Sequence, residues 1–198
     1  MRLALLLVVA LAVLGCSDDE PRSADSGTTT TLTSTGDQPA PSALALRGDG
    51  LGVVDLGAAP DAAIAAVTAE LGEPSADTGW ESSFSSYGTC PGEQIRGVEW
   101  GGLVLLFTDG DTDHGSGDHL FTWRVTGAPP PIATASGLGY GATAADADDL
   151  YPGQVEHLPA EDPFPAFLEI DAEGGPITAY LDDQDTITNL EAGATCGE

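Results

Sequence analysis

The chain has no lysine. Its basic side chains are five, all arginine, against 32 acidic ones, for a formal net charge of −27 over 198 residues. Phosphate recognition needs a basic face, so nucleic acid is not an expected partner. Anionic lipid headgroups would repel the same surface. Any attachment to a membrane must therefore come from a lipid and not from a polybasic patch. The acidity also has a plain role, since it keeps a folded surface solvated. Cysteine occurs three times, without the further nearby ligands that a structural zinc site requires. The apolar run from residue 3 to residue 14 falls short of the roughly 20 residues of a membrane-spanning helix.

That run follows Met1-Arg2 and ends in Val13-Leu14-Gly15-Cys16, with Ser17-Asp18-Asp19-Glu20 immediately after. A charged start, a short apolar stretch and a small-residue cleavage site make a secretory signal. No Ala-x-Ala site lies between Ser17 and Ser42 to serve instead. A small residue followed at once by cysteine resembles the lipobox of bacterial lipoproteins. The resemblance implies cleavage before Cys16 and a thioether-linked diacylglyceryl group on it. Residues 1–15 are then a signal peptide, and the mature chain is expected on the extracytoplasmic face of the cell membrane. Two acyl chains make such an attachment stable where one does not.

Residues 16–42 carry Thr28-Thr29-Thr30-Thr31 and several Ser, Gly and Pro. Their few apolar side chains cannot offset chain entropy, so a disordered tether is expected. The Thr/Ser/Pro bias also permits an O-glycosylated stalk.

Residues 43–198 are long enough for one domain. Pro60 suits a first helical position, and Asp61 suits the positive end of a helix dipole. Ile64, Val67 and Leu71 share a face, and Gly72 and Pro74 stop the run, which predicts a helix over Pro60–Leu71. Residues 73–94, with Trp80, Phe84, Tyr87 and Cys90, read as a polar loop. Residues 95–100 and 103–108 read as strands joined by Gly101-Gly102, a two-residue hairpin turn. Residues 119–126 read as a third strand, with Trp100, Phe107 and Trp123 in the core.

A weaker echo follows. Gly137-Leu138-Gly139-Tyr140-Gly141-Ala142-Thr143 echoes Gly50-Leu51-Gly52 through Gly57-Ala58-Ala59. Thr143 suits the N-cap of a short helix to Leu150. Strand-like runs occupy residues 166–170, 177–181 and 186–190. The expected fold is α+β: two tandem units, about 43–128 and 129–198, each a helix followed by three antiparallel strands. They form one domain with both helices on one face of the sheet. The Gly-x-Gly turn before each helix, and Leu71-Gly72-x-Pro74 after the first, resemble a group of uncharacterised actinobacterial lipoproteins. More distantly, the plan is similar to the tandem units of β-lactamase inhibitor proteins and of small outer-membrane assembly lipoproteins. That resemblance covers about residues 44–196 and carries over no ligand or catalytic residue.

With Cys16 set aside, Cys90 and Cys196 have one intramolecular pairing open to them, in a compartment that permits disulfides. Free thiols or a metal pair are the alternatives.

Asp109-Gly110-Asp111-Thr112-Asp113-His114-Gly115 begins like a calcium loop. Its glycine comes one residue late for an EF-hand, and Leu120 stands where a bidentate Glu is needed. Asp109, Asp111, Asp113 and Asp118 are the candidate calcium ligands, against the plain reading of a solvated loop. His114 and His119 could pair on a transition metal. Ser116, between Gly115 and Gly117, is not a nucleophile elbow, because His114 and Asp118 stand where its glycines are needed. Gly137-x-Gly139-x-x-Ala142 imitates a dinucleotide fingerprint without its strand and helix context. Arg47-Gly48-Asp49 is an adhesion tripeptide by letter alone. Trp80 and Tyr87 are the candidate contact residues for a partner.

Three functional classes remain. The first is a non-enzymatic, lipid-anchored binding module for a protein or envelope component. The second is a calcium-stabilised envelope domain. The third is a hydrolase, for which no nucleophile and base come together in the sequence.

Overall fold

A computed structural model describes residues 43–197, which belong to one compact unit. The leader, Cys16 and the expected tether lie outside the described residues.

A small antiparallel meander opens the fold: β1 (Leu46–Arg47), β2 (Gly50–Leu51) and β3 (Val54–Asp55). Helix α1 spans Pro60–Leu71, with Pro60 and Asp61 in its first turn and Gly72 closing it at φ 82°. That positive φ costs glycine little. The indole N–H of Trp100 donates to the Gly72 carbonyl at 2.9 Å, which satisfies an acceptor that the helix end leaves open. Ala63 and Val67 are the buried side chains of α1, and Ile64 and Leu71 pack at its margin.

Seven strands follow before the second helix: β4 (Ala76–Asp77), β5 (Glu81–Ser85), β6 (Gly88–Trp100), β7 (Leu103–Thr108), β8 (Asp111–Thr112), β9 (Gly115–Ser116) and β10 (His119–Thr126). Helix α2 (Ala144–Leu150) is capped by Thr143. The Thr143 hydroxyl accepts from the Asp146 N–H while the Asp146 carboxylate accepts from the Thr143 N–H, a reciprocal capping box. Four strands complete the chain: β11 (Val155–Leu158), β12 (Phe167–Ala172), β13 (Gly175–Leu181) and β14 (Ile187–Gly193).

One nine-stranded sheet, antiparallel throughout, has the order β11-β12-β13-β14-β10-β7-β6-β4, with β5 paired to β6. The seam between the halves is the β10–β14 pair, where Trp123 faces Ala192 and Val125 faces Leu190. The Gly101-Gly102 turn joins β6 to β7, with Trp100 opposite Leu103.

The expected pair of helix-plus-three-strand units is overturned. Among the described residues 49% are strand and 12% helix, with two helices. A meander precedes α1, and β4 and β5 extend one side of the sheet over residues expected to be a loop. Cys90 stands in β6 and not in a loop. The second half holds four strands, because β11 pairs with β12. These additions are short or polar. Their backbone groups, and not an apolar pattern, place them in the sheet.

The sheet buries both faces around β7, all six of whose residues are buried. Against one face lie α1, α2, the meander and the Ile132–Leu138 region, around Leu103, Leu105, Phe107, Trp123 and Val125. Each such fully buried side chain contributes about 1.5–3 kcal/mol. The other face carries a smaller core of Ile95, Val104, Leu106 and Phe121, covered by Tyr87, Ala194 and Cys196. Phe121 reaches that face through a β-bulge between Leu120 and Thr122. Cys90 and Cys196 are bonded there across 106 residues, and Thr89 and Gly197 exchange backbone hydrogen bonds beside them. The C-terminal segment is thus strapped over the second core.

Candidate functional site

Beyond that strap, the face opposite the helices is open over β10–β14. Strand register fixes which side chains meet there. Val104, Arg124, Glu191, Thr178, Glu169 and Glu156 stand opposite one another on β7, β10, β14, β13, β12 and β11. The adjacent row holds Thr126, Asn189, Tyr180 and Phe167.

At the centre, the Arg124 Nε lies 2.8 Å from the Glu191 Oε2, and the Tyr180 hydroxyl donates to the Glu191 Oε1 at 3.0 Å. One carboxylate oxygen thus accepts a hydrogen bond, while the other lies against the guanidinium charge without the Nε–H being aimed to donate to it; that charge is what permits a carboxylate to be only 4% exposed. Burial, and then the Glu191 charge, push the Tyr180 hydroxyl up to about 12. A second phenol–carboxylate pair lies nearby on β6. Tyr87 lies over Gly97 and donates to Glu99 at 3.0 Å, and burial followed by that bond pushes it up to about 12.

Over the Arg124–Glu191–Tyr180 floor runs a groove of about 880 Å³. Phe164, Pro163 and Pro165 wall one part of it, Tyr140 another, and Thr195–Gly197 of the strap a third. Phe164 is 54% exposed and Tyr140 39%. Arg124 and Glu191 are the charged side chains of its lining. The groove continues past Tyr140 and Gly127 into a trough of about 580 Å³ beside Pro129, Pro130 and Pro131, which has no charged side chain.

Of the sequence-predicted residues, Cys196 lies in the wall of this groove, Asp113 and His114 line an adjoining one that shares Glu191, and the others are placed elsewhere. Trp80 is half-buried against the main core, and Tyr87, also half-buried, packs on the second core. Asp109 is committed to the fold: its Oδ1 accepts from the N–H groups of Glu93 and Gln94 at 2.8 and 3.0 Å, and those bonds hold the carboxyl below its ordinary range. Asp111, Asp113 and Asp118 are exposed around the β8–β9 hairpin. Among the described residues, no three His, Cys, Asp or Glu side chains gather closely enough to hold a metal ion.

His119 is 2% exposed. Its Nδ1 meets the Gly117 carbonyl at 2.6 Å, so in the neutral ring that nitrogen carries the hydrogen, and Nε2 accepts from the Thr112 hydroxyl at 2.7 Å. The pair pins the hairpin and has no carboxylate behind it, while His114 is exposed beside it. Ser116 lies in β9. The Arg47-Gly48-Asp49 tripeptide is folded in: Arg47 pairs with Asp49 and Asp55, and the Gly48 N–H bonds to the Glu173 carbonyl. His157 meets Asp148 at 3.0 Å on an exposed surface.

Sequence reasoning missed Arg124, Tyr140, Phe164, Tyr180 and Glu191 as a group. The Pro163-Phe164-Pro165 run was the one local signal, since prolines on both sides keep an aromatic out of a helix or a central strand.

The chain matches no family model, no curated protein and no solved structure.

Proposed function

We propose that this protein is a lipoprotein anchored outside the cell membrane through a lipidated Cys16, and that its globular part binds another envelope component through the open sheet face. The groove between Tyr140 and Phe164 carries this reading. Exposed aromatics beside a few convergent polar groups are what a recognition surface needs. They stand over an Arg124–Glu191–Tyr180 floor, tied together at the buried Glu191 carboxylate. Binding without catalysis is the reading favoured, because the Thr112–His119 pair, the nearest approach to a nucleophile and base, is built into a hairpin. Among the described residues no helix is long and apolar enough to cross a membrane, so the anchor in this proposal is the lipid.

Two measurements test it. Cys16→Ser is expected to release the protein from the membrane fraction or to leave it unprocessed. Full-strength membrane binding of correctly cut Cys16→Ser would overturn the anchor. A photo-crosslinking side chain placed at Tyr140 on intact cells is expected to yield a discrete adduct that the same group at Val53, exposed outside the groove, does not. Identical adduct patterns at the two positions, or none at Tyr140, would overturn the binding face.

A further inference from the structure

We infer that the groove over Arg124, Tyr180 and Glu191 is a binding site for a neutral saccharide chain. The inference rests on the open face being a recognition surface and names its ligand class.

Charge narrows the choice first. In a protein of net charge −27 this groove is balanced, since its one cation and one anion neutralise each other in the floor. An anionic ligand would meet an arginine already paired, within a repulsive overall field. A cationic ligand would find both oxygens of Glu191 taken. The acidic side chains lie instead in a neighbouring groove, with Glu156, Glu169 and Asp171. What fits is a ligand without net charge.

Surface chemistry narrows it further. The rings of Tyr140 and Phe164 line the groove together with Thr126, Thr188 and Asn189. A purely apolar ligand would cover the exposed Thr126 hydroxyl without giving it a partner, and would leave the buried Asn189 Oδ1 still without one. A sugar ring matches both kinds of surface. Its C–H face, with partial positive charge, lies on the negative face of an aromatic ring, while its hydroxyls donate and accept at the rim.

Topology argues against a peptide. The groove overlies the face of a sheet whose strands there pair on both sides, so no row of free backbone N–H and C=O groups is offered to an added strand. The continuation past Tyr140 into the uncharged proline-walled trough gives room for several linked units.

The test is saturation-transfer NMR on the full chain in detergent micelles. The probes are neutral hexasaccharides of glucose, mannose, galactose and arabinose, with a proline-rich decapeptide alongside. Transfer to ring protons of at least one saccharide is expected. Its affinity should fall about tenfold in Phe164→Ala and in Tyr140→Ala. It should be unchanged in Phe84→Ala, which removes an aromatic 77% exposed outside the groove. No transfer to any of the four saccharides overturns the inference, as does transfer that survives both groove substitutions. Peptide binding lost in Phe164→Ala, without saccharide binding, overturns the saccharide and leaves the binding face standing. The crosslinking result at Tyr140 judges that face separately.

Discussion

Arg124 and Glu191 face each other across the β10–β14 seam, with Nε 2.8 Å from Oε2, and Glu191 is 4% exposed. Each half of the sheet contributes one charge of the pair. Removing one partner from a buried ion pair leaves the other charge without compensation. Arg124→Ala is therefore expected to destabilise by about 3 kcal/mol, at the low end for buried pairs because the arginine is a fifth exposed. Adding Glu191→Leu should recover at least half of that loss. Urea unfolding of the two single variants and the double variant measures both effects.

Tyr87 and Tyr180 are each held protonated beside a carboxylate, up to about 12 against an ordinary value of 10.0. The folded state thus keeps a proton that the unfolded state has lost. The stability this contributes is complete below pH 10 and disappears as the pH rises toward about 12. Thermal melts across that window should show a falling midpoint. In Tyr87→Phe and Tyr180→Phe together, the alkaline slope should flatten. An unaltered slope in the double variant would show that other groups govern it.

The Cys90–Cys196 bond closes 106 residues and straps the C-terminal segment over Ile95, Val104, Leu106 and Phe121. On chain entropy alone, closing a loop of this size stabilises by about 4–5 kcal/mol. Cys90→Ser should lower unfolding free energy by that order. It should also raise binding of a hydrophobic dye, because the smaller core is uncovered. A thiol titration of denatured, unreduced protein should find neither Cys90 nor Cys196 free.

Asp109 serves the backbone of β6 rather than a cation. Asp109→Ala leaves two N–H groups to find water and should cost about 1–2 kcal/mol. The loss should be equal in calcium and in a chelator. A melting temperature that rises with calcium in the parent chain, and no longer does so in Asp109→Ala, would restore the calcium loop.

Thr143 and Asp146 cap α2 reciprocally. Thr143→Ala should cost about 1 kcal/mol, measured by thermal unfolding. The Asp146 carboxyl sits below its ordinary value of 3.8 because it accepts from Thr143. Its contribution is present above that pH and fades as the pH falls below it.

Elements whose signals are local were legible in the sequence. Pro60 and Gly72 bracket α1, Gly101-Gly102 turns β6 into β7, and Thr143 begins α2. The supposed repeat misled for a local reason too. Gly57 and Gly141 hold φ of 90° and 84°, so the echo records two turns with the same backbone demand and not two equivalent units. The polar strand β5, and β11 with its Val155-Glu156-His157-Leu158, carry too little apolar alternation to be read as sheet. The groove was hidden because Arg124 and Glu191 are far apart in the chain and meet only through register.

The outermost strand on one side, β11, sets Glu156 directly against Glu169 of β12. Like charges opposite each other weaken that pairing somewhat. A strand from another molecule approaching this border would meet carboxylates before any backbone partner, which is a recognised way of keeping an open sheet margin from stacking. The protein should accordingly stay dispersed when crowded, and the double variant Glu156→Gln, Glu169→Gln should begin to form cross-β fibrils under the same conditions.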